Sequence, residues 1–210
     1  DSNHAMLEAL CHTLPVEIAD LGILEDDAAT VRETLAAAAA NHDVILTTGG
    51  ASGGDEDHMV EALDRLGKRH LWQIAIKPGR PMSFGQIGGC IFLGLPGNPV
   101  AAFVCFLLYA IPAIQTLSGG RYREPMRLRV AAGFEMPKKK IDRREFQRGW
   151  LERDSDGTVI ACKFPRDGSG LISGLRRAEG LIELPEALAG VRRGDRVDYI
   201  PFSEFGLMPG

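Results

Sequence analysis

Two glycine-punctuated loops and one cationic turn hold the side chains in this sequence best suited to chemistry. The first loop runs Thr48-Gly49-Gly50-Ala51-Ser52-Gly53-Gly54-Asp55-Glu56-Asp57. It follows the short apolar run Val44-Ile45-Leu46, which reads as a buried strand. Its glycines permit positive φ. Asp55 can cap a following helix, in which Met59, Val60, Ala62, Leu63 and Leu66 recur at helical spacing before Gly67 ends it. Strand, glycine loop and helix start together aim backbone N–H groups and a helix dipole at one place, a shape suited to an anion. The pattern is neither G-x-G-x-x-G nor a Walker loop, because no Lys-Ser/Thr follows the glycines. The three carboxylates admit two readings: a tight turn with helix capping, or a phosphate-like ligand held through a divalent cation.

The cationic turn is Lys77-Pro78-Gly79-Arg80-Pro81, at the end of a strand expected over Leu71 to Ile76. Two prolines and a glycine stiffen it and keep Lys77 and Arg80 near one point. They are either solvated charges or an anion contact. The second loop is Gly94-Leu95-Pro96-Gly97-Asn98-Pro99. Asn98 suits an N-cap and Pro99 a first helical position. The helix expected from Val100 to Leu117 is apolar nearly all round, the mark of a core or interface helix. Its longest apolar run, Val100 to Ile111, is too short to span a bilayer and meets Pro112.

The elements that must position these loops follow a helix–strand rhythm. A first helix carries Met6, Leu7, Leu10 and Leu14, a strand is expected over Val16 to Ala19, and Asp26 and Asp27 open a helix running through Ala36 to Ala40. This is the order of an α/β domain with helices on a mostly parallel sheet. Composition shifts at Ser118-Gly119-Gly120, so an α/β domain is expected over 1–120 and a small all-β domain over 121–210, a barrel or sandwich. Its strand candidates are Met126 to Val130, Phe146 to Leu151, Thr158 to Phe164, Leu171-Ile172, Gly180 to Leu184 and Arg196 to Ile200. Lys138-Lys139-Lys140 reads as a solvated loop. The net charge of −4 argues against general nucleic-acid binding. Cys11, Cys90, Cys105 and Cys162 form no C-x-x-C and read as buried thiols of a reducing, cytoplasmic compartment, and no signal peptide or membrane anchor is visible.

With the three motifs in this order, the chain resembles the molybdopterin molybdenumtransferase family of MoeA and the gephyrin E domain. Phe146-Gln147-Arg148-Gly149 and Gly168-Ser169 resemble the family's motifs in its C-terminal β domain, and Asp1-Ser2-Asn3 the segment opening the first helix. The resemblance implies a three-layer, doubly wound sheet of the MogA/MoaB kind followed by a barrel-like domain. It implies insertion of molybdate into adenylylated molybdopterin with release of AMP, assisted by Mg²⁺. Residue by residue, Asp57 takes the place of the acidic site residue and metal ligand, and Lys77 and Arg80 that of the basic pair. Gly49, Gly50, Ser52, Gly53, Pro96, Asn98, Pro99, Arg148 and Ser169 become ligand-binding candidates. Most of these are expected to line one crevice at the carboxyl ends of the strands.

The family implies a homodimer and allows a molybdopterin adenylyltransferase partner. It departs at Gln73, where a Lys is common. A strand carrying Thr-Gly-Asp-Glu is expected upstream of Asp1, so the chain reads as a C-terminal portion that is inactive alone. Two other functions fit parts of the pattern: a gephyrin-like peptide-binding scaffold, and a molybdopterin adenylyltransferase relative, against which the β domain counts.

Overall fold

Ala75–Pro78 leave the α/β domain in which they were expected and group with the barrel. The chain thus divides into one unit of Asp1–Ile74 and Gly79–Tyr122 and a second of Ala75–Pro78 and Arg123–Gly210. The computed structural model describes residues 2–49, 58–165 and 173–207.

In the first unit, α1 (Ser2–Cys11) and α2 (Ala28–Asn41) precede β1 (Val44–Thr48). Asp27 starts α2 by accepting a hydrogen bond from the Thr30 N–H at 2.8 Å, which replaces a missing intrahelical partner. Next come α3 (His58–Leu66), β2 (Lys68–Gln73), the two-residue β3 (Ile76–Lys77), β4 (Pro81–Ile87) and β5 (Cys90–Leu95). The apolar stripes of α2 and α3 meet one face of the sheet, where Val31, Leu35, Ile45, Leu63 and Phe92 are buried together. Each such side chain contributes about 1.5–3 kcal/mol when fully buried.

The described strands lie in the order β1-β5-β4-β2. β1 and β5 are parallel, whereas β5–β4 and β4–β2 are antiparallel. The expected mostly parallel sheet is therefore mixed over its described strands. The physical reason is local: β4 and β5 are joined by only Gly88-Gly89, with Gly88 at φ 58°, and a two-residue turn reverses the chain. β4 lies against Gly67 beside the Lys68–Gln86 pair of the β2–β4 ladder, and a Cβ there would run into the Gln86 carbonyl oxygen, so only glycine fits. Val16 to Ala19 form no strand. They run exposed after Pro15 without a ladder partner among the described residues.

The helix after Asn98 runs from Pro99 to Leu117. It comprises α4 (Pro99–Cys105), a π turn (Phe106–Ala110) and α5 (Ile111–Leu117). Pro112 offers no N–H and its ring crowds the preceding turn, and the widened turn sits just before it. By length and composition this helix would suffice to cross a membrane, yet Val100 to Leu107 are all buried, which makes it a core helix.

The second unit is a closed five-stranded barrel. Its strands are β6 (Leu128–Ala132), β7 (Arg144–Arg153), β8 (Val159–Lys163), β9 (Gly180–Leu184) and β10 (Arg196–Pro201), with the short helix α6 (Ser173–Arg177) before β9. The order β7-β8-β6-β10-β9 returns to β7, and β3 adds on beside β7. Closure removes the unpaired edges that an open sheet would leave. Val130, Ala161, Ile182, Leu184, Val197 and Tyr199 fill the interior.

Lys139 departs from the solvated loop expected for its tri-lysine run. It is 8% exposed, and its Nζ donates to the carbonyls of Lys140 (2.9 Å), Arg143 (2.7 Å) and Glu186 (3.4 Å). An ammonium with three donors suits a bend that leaves several carbonyls without ladder partners. Lys139→Ala is expected to cost about 1–3 kcal/mol, because it leaves those carbonyls without their ammonium donor. Lys138→Ala and Lys140→Ala, both at exposed positions, should stay within about 0.5 kcal/mol. Urea unfolding followed through the barrel core checks the contrast.

Candidate functional site

Parallel pairing of β1 with β5 matches Thr48 to Leu95, so the two glycine loops leave the sheet side by side at the carboxyl ends of these strands. Gly49 adopts φ 82°, a conformation that a Cβ would strain. The backbones converge closely: a Cβ on Gly97 would lie 3.5 Å from the Gly49 Cα. Pro96 is buried, and Asn98 and Pro99 are half-buried. The Asn98 side chain accepts from the Ala101 N–H at 3.3 Å and Pro99 is the first residue of α4, so the capped helix start expected here is present.

A polar link across the two loops escaped the sequence reading. Asn3, on α1, donates through Nδ2 to Thr48 Oγ1 at 2.8 Å and to the Gly97 carbonyl at 2.7 Å. The Thr48 hydroxyl donates in turn to the Pro96 carbonyl at 3.2 Å. Asn3, Leu7 and Leu10 are the buried residues of α1, at i, i+4 and i+7. A polar residue in phase with an apolar stripe was the available signal.

The cationic turn is built from two directions. In the first unit the Ile74 N–H donates to the Arg80 carbonyl at 3.0 Å, and the Arg80 side chain is exposed. Cys105, on α4, lies behind Gly79, with Sγ 3.7 Å from its carbonyl oxygen. Burial pushes the Cys105 thiol up to about 12, so it stays protonated. In the second unit β3 pairs parallel with the start of β7, which matches Lys77 to Glu145. The Lys77–Pro78 peptide is cis, and Gly79 follows at φ 116°.

Lys77 Nζ lies 3.3 Å from Glu145 Oε2, the same oxygen that accepts from Gln147 Nε2 at 3.0 Å. Glu145 is 2% exposed, whereas about half of the Lys77 side chain faces solvent (53%). Glu145 had no signal in the sequence, since charge at the start of a strand is common, and Gln147 lies in the Phe146-Gln147-Arg148-Gly149 motif with no role of its own expected. Arg148 is buried in β7, its guanidinium 4.9 Å from the centre of the Phe164 ring. Gly174 leaves it room, because a Cβ there would meet its guanidinium.

The structure therefore brings Gly49, Pro96, Asn98 and Pro99 together at one end of the first unit's sheet, with Arg80 in that unit, and places Lys77 and Arg148 in the barrel unit. Gly50, Ser52, Gly53, Asp57 and Ser169 lie outside the described residues, as does the proposed cap Asp55. Among the described residues no three His, Cys, Asp or Glu side chains converge, so that part of the site offers no ligand set for Mg²⁺. A carboxylate site would rest on Asp55, Glu56 and Asp57.

Comparison with known proteins places this geometry. Residues 1–116 match the family model described as a probable molybdopterin binding domain, and residues 129–202 match the MoeA C-terminal region (domain IV). The chain belongs to the molybdopterin-binding-domain family and carries, after that domain, the C-terminal domain of MoeA proteins. A Haemophilus influenzae molybdopterin molybdenumtransferase is 33% identical over 97% of this chain and 50% of its own length. A Drosophila melanogaster protein named molybdenum cofactor synthesis protein cinnamon is 38% identical over 57% of this chain and 20% of its own length. A solved Pyrococcus furiosus molybdenum cofactor biosynthesis protein, 27% identical, superposes with a TM-score of 0.74 over 96% of this chain and 64% of its own. The chain spans about half the length of full-length curated relatives such as the Haemophilus protein (50%).

Asn98→Ala is expected to remove the cap at the mouth of the second loop and to cost about 1 kcal/mol. Amide exchange at Ala101 and Ala102 should quicken while the barrel amides keep their rates. Unchanged exchange would mean that the cap is dispensable.

Proposed function

We propose that this chain takes part in molybdenum cofactor biosynthesis, binding adenylylated molybdopterin where molybdate is inserted at its dithiolene and AMP is released. The observation that carries this reading is the side-by-side emergence of the Gly49 and Gly97 loops at the carboxyl ends of β1 and β5, in a chain of this family. Close approach of the Gly49 and Gly97 backbones and a capped helix start suit a phosphate-bearing ligand. The reading places the activity in a transferase acting in the cytoplasm as a homodimer, with molybdopterin adenylyltransferase as a candidate supplier of the adenylylated substrate.

Both reactants are anions, and bringing them together needs fixed positive charge. Lys77, Arg80 and the buried Arg148 are the candidate cations. Gly49, Gly50, Ser52 and Gly53 supply backbone donors and a hydroxyl, Pro96, Asn98 and Pro99 shape the second loop, and Ser169 adds a hydroxyl from the β domain. Asp57 is the candidate ligand for Mg²⁺, the role that reconciles its negative charge with an anionic substrate.

The decisive experiment measures AMP release from adenylylated molybdopterin with molybdate, in the natural protein that carries this sequence. Lys77→Ala is expected to weaken substrate binding, with a shallower dependence of affinity on salt because one screened contact is gone. Asp57→Asn is expected to lower AMP release at limiting Mg²⁺ with little change in the melting temperature. If Asp57→Asn turns over normally under those conditions, Asp57 serves only the helix start. If the wild-type protein releases no AMP, the proposed reaction is wrong.

A further inference from the structure

Asn3 carries a role that neither the glycine loops nor the cations account for. It is a polar side chain only 4% exposed, on a helix that contributes no residue to the candidate site. Its single amide nitrogen donates to two acceptors on two different segments: the Thr48 hydroxyl at the end of β1 and the Gly97 carbonyl in the loop after β5. The Thr48 hydroxyl in turn donates a hydrogen bond to the Pro96 carbonyl, so one chain of hydrogen bonds crosses both loop bases. The two segments belong to strands that pair with each other, but their ladder ends at Thr48–Leu95. Beyond that point the described side-chain bonds between the loops are those of Asn3 and Thr48. They bracket the place where the Gly49 and Gly97 backbones approach.

The chemistry at position 3 is narrow. Two acceptors must be met by two N–H donors on one short, uncharged side chain, which an asparagine amide supplies. A serine has one donor, and an ionised aspartate has none and would face the Gly97 carbonyl with like polarity. A buried amide that satisfied only its own helix would not reach across two segments 45 and 94 residues away in sequence.

We propose that Asn3 is a positioning residue: it sets the spacing of the two glycine loops and, through it, the affinity of the site for the phosphate-bearing ligand. The ligand half rests on the function proposed above. The test uses the 210-residue chain, with AMP as the probe. Amide exchange is measured at Gly49, Gly97 and Val100 to Ala102, and AMP affinity by calorimetry, for wild type, Asn3→Ala, Asn3→Asp, Thr48→Val and Thr48→Ser. Loss of the paired hydrogen bonds is expected to speed loop exchange and to weaken AMP binding by about tenfold in the first three variants. Thr48→Ser, which keeps the hydroxyl, should stay within about twofold.

Exchange at Ile182 in the barrel reports whether a variant has lost more than the loops. Unchanged loop exchange in Asn3→Ala overturns the proposal. Loops that loosen while AMP affinity holds also overturn it, since the amide would then be structural only. Thr48→Val supplies the same reading from the other side of the bond if Asn3→Ala fails to fold. A wild-type chain that binds no AMP overturns the ligand half and counts against the function proposed above, while the exchange result still decides whether Asn3 spaces the loops.

Discussion

Parallel pairing of β1 with β5 is the constraint on which the candidate site depends. Two parallel strands end at the same edge of a sheet, so whatever follows each must emerge beside the other. Here the followers are the loops after Thr48 and after Leu95. An antiparallel pair would have sent them to opposite edges, and no amount of glycine would have brought them together. The remaining antiparallel strands, β4 and β2, extend the sheet without altering where these loops leave it. Burial of Phe92 on β5 against Ile45 and the helices α2 and α3 holds the pair in register, because a slip of one residue would turn these side chains away from their core.

Much of this was legible in the residues. The loops announced themselves through glycines flanked by a β-branched run and a helix cap, and the capping by Asn98 and Asp27 followed from side-chain chemistry alone. The barrel strands were legible as short runs broken by Gly, Asp and Pro, and the five described ones fall close to the expected positions. Three things were not legible. Val16 to Ala19 have strand-like composition, but a strand exists only through its ladder, and composition says nothing of a partner. The excursion of Ala75–Pro78 into the barrel's sheet depends on pairing with Arg144 and Glu145, Glu145 lying 68 residues beyond Lys77. Lys139 sits in a run that looks solvated, and only the fold shows that three carbonyls surround it.

The barrel illustrates how buried charge is tolerated. Glu183 is 4% exposed and accepts from Arg127 Nε at 2.6 Å and from Arg144 Nη1 at 2.7 Å. Arg144 also reaches both carboxylate oxygens of Glu186 at 3.1 Å. A carboxylate taken out of water loses several kcal/mol of solvation, and only well-aligned partners on its lone pairs offset that. Glu186 and then Glu183 raise the already high pKa of Arg144, and for Arg127 the opposing pull of desolvation is outweighed by Glu183 and Glu124. These guanidiniums are therefore committed to the fold.

Lys77 stands apart from them by the same reasoning. Its one described acceptor, Glu145, is buried and shared with the Gln147 amide, and the Lys77–Glu145 contact is long for a charge-assisted bond at 3.3 Å. An ammonium has three donors, so this contact fixes where the side chain points without using up its capacity. Arg127 and Arg144 resemble Lys77 in charge but spend their donors on a carboxylate at 2.6–2.7 Å. A cation recruited to hold an incoming anion must keep donors and solvent access in reserve, yet must not wander. Tethering by a buried carboxylate, with about half of the side chain exposed (53%), meets both demands. That balance separates Lys77 from Arg127 and Arg144, whose donors are taken up by a buried carboxylate.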